Sequence, residues 1–402
     1  MTSLYDFERH TDLTDRPWSA QDAYVEIARI LDEIRIAKQW DGGWPLHPLD
    51  AESYLQQDTK WALYAGAAGV VVATEILRRS GYSTLDLRDQ LPQIYRNFLK
   101  NPDLGAVEMG LQVGELGILV PAILSDPTDK LIQTRARQCM SRLLDHPAHE
   151  ITSGQTGMMY AALALYRATN EDCWKSAFKH GAEALWLNWY QVADGSGWLW
   201  DNDIFGQKRS YFGACHGIAG NLNVVLQGAD LLSDNHITNA IDRTIETLKS
   251  YALHENGMVN WFASAPPIKG RLFVQWCHGA AGIVTALSAV PKTKRPALDT
   301  LLAEASALVW HAGPLTKGPG ICHGTAGNGY AFLAMYHRDG KSHWLDKARA
   351  FASHAIQQSQ EHRAQYGQRR FSLMTGDAGL AVYLHHCLNP DEWCLPGLDL
   401  FS

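Results

Sequence analysis

A Gly-x-x-Gly motif recurs seven times along this chain, and each copy opens an apolar run long enough for a helix. Successive copies are 40 to 63 residues apart, and their first glycines are Gly66, Gly114, Gly154, Gly217, Gly279, Gly324 and Gly376. This spacing predicts a repeated supersecondary unit, because scattered turns would not recur before the same type of run. Small residues at a helix start permit close packing and tight turns, so we interpret the glycines as structural.

A second helical pattern, polar on one side and apolar on the other, lies between the motifs. Ile237, Ile241 and Ile245 show it at intervals of four residues. Comparable stretches cover residues 22–40, 130–144, 172–189, 296–311 and 342–360. An apolar helix flanked by amphipathic ones is typical of an inner helix covered by outer ones. We find no convincing series of alternating strands, so the pattern predicts an all-α fold of seven helical hairpins in two layers.

Repeated helical pairs form either an open solenoid or a closed ring. Closure is favoured here because the inner helices are apolar nearly all round, and because neither end of the chain shows a capping repeat with a polar outer face. The sequence therefore predicts one α/α toroid domain over residues 1–402, with every inner helix starting at the same mouth. That geometry would bring His216, Cys277 and His323 together despite their separation along the chain.

Composition and charge exclude several classes of protein. The net charge of −7 argues against nucleic-acid binding through phosphate contacts. No run of about 18 apolar residues marks a membrane span, and the first residues lack the profile of a signal peptide, so we expect a cytoplasmic protein. Its seven cysteines are an odd number in a chain too long to need disulfides, which favours metal ligation or catalysis for some of them.

Three of the seven motifs follow a Cys-His pair, and these pairs are Cys215-His216, Cys277-His278 and Cys322-His323. The other four motifs lack such a pair, so the architecture does not require it. Cys277, Cys322 and His323 have the composition of a three-ligand zinc site whose fourth tetrahedral position stays open for catalysis. The alternative is that both cysteines are buried small hydrophobes and that His323 is a core histidine. Cys215 would close the site as a fourth ligand, and we interpret it as structural.

Two segments around these residues resemble a known family. Lys317-Gly-Pro-Gly-Ile-Cys-His-Gly-Thr-Ala-Gly-Asn328 and Trp276-Cys-His-Gly279 are similar to the zinc-ligand segments of the lanthionine synthetase C-like family, which includes the LanC cyclases and the LanC-like proteins. The resemblance covers essentially the whole chain. It implies a sevenfold α/α toroid with a single zinc ion, for which Cys277, Cys322 and His323 are the ligands. It also implies that a zinc-activated thiol adds to the β-carbon of a dehydroalanine or dehydrobutyrine residue and forms a thioether.

The resemblance also assigns a proton donor. His216 occupies the family's catalytic histidine position and would protonate the α-carbon after the thiol adds. The alternative for His216 is a helix-capping core histidine. Glu150 stands four residues before Gly154, where the family has an acidic residue, and would orient His216 or the substrate. A solvated loop acid is the alternative for Glu150.

The residues around Cys277 bear on the branch of the family. Dedicated bacterial cyclases usually have tyrosine directly after this cysteine and arginine four residues before it, whereas this chain has His278 and Phe273. The two segments instead resemble the glutathione-binding LanC-like branch. By that resemblance, Lys317 would contact a carboxylate of glutathione, and His278 would lie beside the zinc-bound sulfur.

Three basic residues precede the seventh motif, and they are Arg363, Arg369 and Arg370. They would approach the same mouth, where a guanidinium group can hold a carboxylate or a phosphate. A solvated surface cluster is equally consistent with the sequence.

Four functions remain open from the sequence. The first is zinc-dependent addition of glutathione to dehydroamino-acid residues of peptides or proteins, and the second is the same chemistry within one precursor peptide, which closes lanthionine rings. The third is a non-catalytic adaptor that binds glutathione or a peptide. The fourth, a glycosidase with two carboxylates, is disfavoured because the motifs carry thiols and imidazoles rather than a pair of acids.

Overall fold

A computed structural model describes residues 3–51, 58–204, 206–267, 272–292 and 295–395. Fourteen α-helices in these residues form two layers. The inner layer comprises α2 (Ala67–Arg79), α4 (Leu116–Ser125), α6 (Gln155–Thr169), α8 (Ile218–Gln227), α10 (Ala280–Leu287), α12 (Thr325–Asp339) and α14 (Asp377–Leu388). The outer layer comprises α1 (Ala20–Ala37), α3 (Leu91–Lys100), α5 (Lys130–Leu143), α7 (Asp172–Leu187), α9 (Asp234–Ser250), α11 (Pro296–Ala312) and α13 (Ser342–Tyr366). None of these helices has both the length and the apolar character that crossing a bilayer requires.

Each inner helix begins at one copy of the Gly-x-x-Gly motif. The first glycine caps the helix N-terminus in six units, and Glu115 takes that place in the second unit. Inner helices are buried on nearly all sides, as the continuous buried stretch 325–335 of α12 shows. Outer helices bury one stripe, which in α9 includes Ile241 and Leu248. The predicted two-layer, all-α architecture is confirmed, and α3 is an outer helix that the sequence pattern did not reveal.

The ring closes through the two ends of the chain. Every inner helix packs against the next one, and α14 packs against α2 as well as against α12. The first helix, α1, covers α14 and so serves as the outer helix of the seventh unit. A buried ion pair joins Arg369, just before α14, to Glu26 of α1 at 2.7 Å. The predicted closed toroid is therefore confirmed.

The second glycine of each motif lies against the loop that precedes its own helix. A Cβ atom at Gly282 or Gly327 would lie only 1.8 Å from the carbonyl oxygen of Trp276 or Ile321, respectively. The equivalent distances are 1.9–2.2 Å in the other five units. No side chain fits at such a distance, so the loop can fold back over the helix start only where glycine stands. The repeat in the sequence therefore reflects one steric constraint that the fold imposes in every unit.

Two long connections carry the short strands. In the described residues, β1 (Tyr190–Gln191), β2 (Trp198–Leu199), β3 (Asn202–Ile204) and β4 (Gln207–Tyr211) lie between α7 and α8, and β5 (Leu253–Glu255), β6 (Met258–Asn260) and β7 (Ser264–Ala265) lie between α9 and α10. β4 pairs with β3 and with β7, and so joins the two connections. These strands, which the sequence did not predict, lead into the loops that contain His216 and Cys277.

Candidate active site

The loops that precede the inner helices are joined into a ring by backbone hydrogen bonds. Five of these bonds, of 2.7–3.0 Å, link residues that stand two positions before the first glycine of their units. In each, the N–H group of the first residue donates to the carbonyl of the second: Tyr64 to Gln112, Gln112 to Thr152, Cys277 to Cys322, Cys322 to Met374 and Met374 to Tyr64. The N–H group of Ile151 donates to the carbonyl of Cys215 at 3.1 Å and joins the third unit to the fourth. At the remaining junction, Gly213 lies against the carbonyl of Cys277. The ring thus brings the three Cys-His pairs to one place.

Cys277, Cys322 and His323 form a compact group of potential metal-ligand atoms. Their two Sγ atoms and one imidazole nitrogen all lie within 4.8 Å of one another, and no other group of three such residues was found in the described part of the chain. Both cysteines are buried, and His323 is half-buried. Tetrahedral zinc takes sulfur at about 2.3 Å and nitrogen at about 2.0 Å, which sets the ligand atoms roughly 3.5–3.8 Å apart. The three side chains therefore fit a zinc ion with little movement and leave one position open.

Cys215 lies beside this group without being part of it. Its Sγ atom is 3.2 Å from Thr152 Oγ1 and 3.8 Å from Gln112 Oε1, so the neighbouring loops hold it. A hydrogen bond to Cys322, together with burial, raises the pKa of Cys215 well above its usual range. The same hydrogen bond and one from Cys277 lower the pKa of Cys322. This direction matches a Cys322 thiolate that accepts from a Cys215 thiol, and a structural role for Cys215 stays a prediction.

A buried carboxylate holds His216. The Nδ1 atom of His216 is 2.8 Å from Glu150 Oε2, and the carboxylate also accepts from the N–H groups of Thr152 at 2.7 Å and Ser153 at 2.6 Å. An ionised carboxylate only accepts, so we assign the proton of this hydrogen bond to Nδ1. Burial lowers the pKa of His216, but the hydrogen bond and the charge of Glu150 outweigh it, and the pKa is raised. Glu150 is 1% exposed, which excludes the solvated-loop alternative.

An aromatic contact places His216 beside the metal-ligand group. The rings of His216 and His278 stack with their centroids 5.4 Å apart, and His278 directly follows Cys277. The ring of Tyr211 lies 5.7 Å from that of His278 and 5.9 Å from that of His216. Burial, and after it the charge of His216, lowers the pKa of His278 to about 3. His278 is therefore neutral at neutral pH.

Lys317 is an exposed residue in the loop that contains Cys322. Partial burial of its ammonium group lowers the pKa of Lys317, and the positive charges of Arg370 and Arg9 act in the same direction. Negative charge on the sulfur atoms of Cys322 and Cys277 opposes that shift. Lys317 is thus within electrostatic reach of the metal-ligand group, as its predicted role in substrate binding requires.

Acidic side chains engage the three arginines that precede the seventh motif. Arg363 and Arg369 both pair with Glu33 of α1 at 3.1 Å. Arg370 donates from Nε to Asp50 at 2.8 Å, and both side chains of this pair are buried. The pairs tie α1 and the loop after it to the seventh unit. Substrate binding by these arginines stays a prediction, and it would require the exchange of these ion pairs.

Comparison with known proteins identifies the family to which this architecture belongs. Residues 49–400 match the model of the lanthionine synthetase C-like protein family. The chain belongs to this family. Glutathione S-transferase LANCL1 of Danio rerio is 28% identical over 195 residues, which are 48% of this chain and 47% of the relative. LanC-like protein GCL1 of Arabidopsis thaliana is 30% identical over 195 residues, which are 47% of this chain and 43% of the relative.

The alignments with both relatives thus span less than half of either protein. Among solved structures, nisin cyclase superposes with a TM-score of 0.62 and 14% identity over 95% of this chain and 97% of its own. At that identity the likeness concerns the fold, and it agrees with the toroid described above. The resemblance to the LanC-like family seen in the sequence is confirmed, while the roles of the individual site residues stay predictions.

Two side chains of this LanC-like site were not predicted from the sequence. Burial, and after it negative charge on the neighbouring Cys322 sulfur, raises the pKa of Tyr64 well above its usual range. Tyr64 and Cys322 stand at the same position of their repeats, so aligning the seven motifs would have found it. Gln275 donates from Nε2 to Cys277 Sγ at 2.9 Å. No repeat or motif signal marks Gln275.

Proposed function

We propose that this LanC-like protein catalyses the zinc-dependent addition of a thiol, glutathione, to dehydroalanine or dehydrobutyrine residues of a peptide or protein. One observation carries the proposal: a group of two cysteines and one histidine with zinc-ligand spacing lies beside a histidine that a buried glutamate holds. Membership of the family supports it, and so does the name of the Danio rerio relative, a glutathione S-transferase.

Cys277, Cys322 and His323 would hold the zinc ion. When bound, zinc would supply an open position at which a thiol loses its proton and becomes a nucleophile at neutral pH. The inner helices begin at the loops that backbone hydrogen bonds join around this site. The partial positive charge of their N-termini would favour a thiolate there as well.

The reaction adds a thiol across a carbon–carbon double bond without net oxidation or reduction. The thiol gives up its proton, and its sulfur then bonds to the β-carbon. The π-electron pair of the double bond moves onto the α-carbon and its carbonyl group. The α-carbon finally takes up one proton. We assign the donation of that proton to Nε2 of His216, because the other ring nitrogen, Nδ1, is hydrogen-bonded to Glu150. The raised pKa of His216 keeps more of it protonated at neutral pH, as a general acid requires.

The substrate would be held at the rim of the mouth. Glutathione carries two carboxylates, and Lys317 offers a point charge for one of them. Neutral His278 would pack beside the reacting sulfur. Three arginines could contribute to substrate binding only by exchanging their acidic partners for an anionic substrate, and they are Arg363, Arg369 and Arg370. A reducing cytoplasmic location, which we also propose, would keep the site cysteines as thiols.

The zinc-loaded protein should add one glutathione to a peptide that contains dehydroalanine and no cysteine. Mass spectrometry of the peptide measures the gain, and the same peptide with alanine in place of dehydroalanine is the control. No gain would contradict the glutathione proposal.

A second peptide, which carries both dehydroalanine and its own cysteine, separates the alternative functions. Loss of its free thiol without a change of mass reports ring closure. Ring closure without any glutathione addition to the first peptide would identify a cyclase of precursor peptides. Glutathione binding in a titration, with neither reaction, would identify an adaptor.

A further inference from the structure

The N-terminal segment before α1 lies on the loop that leads to the sixth motif. The N–H group of Thr11 donates to the carbonyl of Pro314, and the carbonyl of Arg9 accepts from the N–H group of Thr316, both at 3.0 Å. The family match begins at residue 49, so this segment lies outside the matched range. Its backbone is nevertheless fixed against one of the two loops that provide the metal-ligand group.

The side chain of Arg9 reaches from this segment toward Cys277 through one intervening residue. Its Nη2 atom donates to Gln275 Oε1 at 2.9 Å, and its guanidinium carbon lies 4.7 Å from the ring centroid of Phe273. Gln275 is 6% exposed, and its Nε2 atom donates to Cys277 Sγ at 2.9 Å. Arg9, Gln275 and Cys277 therefore form a continuous chain of hydrogen bonds.

This chain of hydrogen bonds determines which way the Gln275 amide points. A guanidinium group only donates, so it must face the amide oxygen, and the Cys277 sulfur, which is a thiolate when it binds zinc, only accepts and must face the amide nitrogen. Turning the amide over would set its nitrogen against Arg9 and its oxygen against Cys277, and both contacts would be repulsive. A charged donor on the amide oxygen also polarises the N–H group that faces the sulfur.

We propose that Arg9 is a positioning residue of the zinc site: acting through Gln275, it holds the Cys277 sulfur in place for the metal and strengthens zinc binding. The proposal rests on the zinc ligands of the proposed function and deepens it. Hydrogen bonds that orient a ligand from outside are common in metal sites, and their loss typically weakens metal binding by about 10–100-fold. The site would then be complete only when the N-terminal segment is in place.

Competition with a chromogenic chelator measures the zinc affinity of the purified full-length protein and tests the proposal. Arg9→Met and Gln275→Met should each raise the dissociation constant for zinc by about 10–100-fold. The double variant should lose little more than either single variant, because both changes break the same chain of hydrogen bonds. Arg9→Lys keeps a charged donor and should lose less affinity than Arg9→Met.

Arg16→Met is the matched control. Arg16 lies in the same N-terminal segment but pairs with Asp22, so its removal should leave zinc affinity unchanged. Cobalt substitution gives a second readout, because the thiolate-to-metal charge-transfer band reports the sulfur ligands directly. That band should weaken or shift in Arg9→Met and Gln275→Met but not in Arg16→Met.

Zinc affinity within about twofold of the wild type in both single variants, with an unchanged cobalt band, would overturn the proposal. Additive losses in the double variant would overturn it too. If circular dichroism shows that Gln275→Met does not fold, the comparison of Arg9→Met with Arg9→Lys decides the matter. None of these readouts uses glutathione, so a protein that shows the expected zinc losses but adds no glutathione contradicts the proposed function alone.

Discussion

Cys322→Ala is expected to abolish zinc binding and thioether formation together. Cys322 provides one of the three potential ligand atoms that lie within 4.8 Å of one another, and the remaining thiolate and imidazole are too few for a stable protein zinc site. We expect about one zinc ion per wild-type chain and a loss of about 10³-fold or more in the rate of glutathione addition by the variant, because its thiol substrate stays protonated. Elemental analysis measures the zinc, and mass spectrometry of the peptide measures the rate.

Cys215→Ala is the matched control for this experiment. Both cysteines are buried and stand two residues before a motif glycine, but Cys215 lies outside the ligand group. The control should therefore keep its zinc and most of its activity. Zinc loss in Cys215→Ala would show that the ligand set is larger than three residues. A zinc-free wild type, purified without chelators, would contradict the metal site itself.

The toroid was predictable because its main constraint is local and repeated. In every unit the second glycine passes close to a carbonyl oxygen of the preceding loop, so the same short motif must recur at each inner helix. The outer helix α3 was not predicted, since it has ten residues and buries only Leu91, Ile94 and Phe98. The strands, of two to five residues, are likewise too short to show a clear alternation.

The contacts that close the ring have no local signature. Glu26 and Arg369 are 343 residues apart in the chain, yet their side chains form a buried ion pair. In the sequence, Glu26 is one polar residue of an amphipathic helix, and Arg369 belongs to a cluster that is equally consistent with a solvated surface. Only the folded ring shows that the two residues, which lie near opposite ends of the sequence, are partners.

The candidate site divides in the same way between motif residues and supporting residues. The three ligands belong to Cys-His pairs that four of the seven motifs lack, so the sequence could separate chemistry from architecture. Gln275 and Arg9 belong to no motif, and Arg9 reaches the site from outside the seven motifs. For Glu150, the family position suggested a role beside His216, and its two backbone donors lie two and three residues further along the same loop. Its burial and its contact with His216, however, depend on how this loop meets the one that contains His216. No spacing in the chain encodes that meeting.

His216→Asn should lower the rate of glutathione addition by about 10²–10⁴-fold and leave the zinc content unchanged. Asparagine is polar and can still donate to Glu150, but it cannot transfer a proton to the α-carbon. The loss should appear in kcat rather than KM, because His216 acts on the reacting atoms after the substrate has bound. Zinc loss in this variant would instead assign His216 to the metal site, and an unchanged kcat would leave it a structural histidine.

Glu150→Gln tests the same assignment through pH. The amide oxygen can still accept from Nδ1 of His216, but the negative charge that raises the pKa of His216 is gone, and burial then lowers that pKa. Since His216 donates only when it is protonated, the decline of activity at high pH should begin at lower pH than in the wild type. Neutral-pH activity should fall accordingly, while activity at low pH approaches that of the wild type. His278, the ring stacked on His216, has a pKa of about 3 and stays neutral throughout. A decline that begins at the wild-type pH would show that another group supplies the proton.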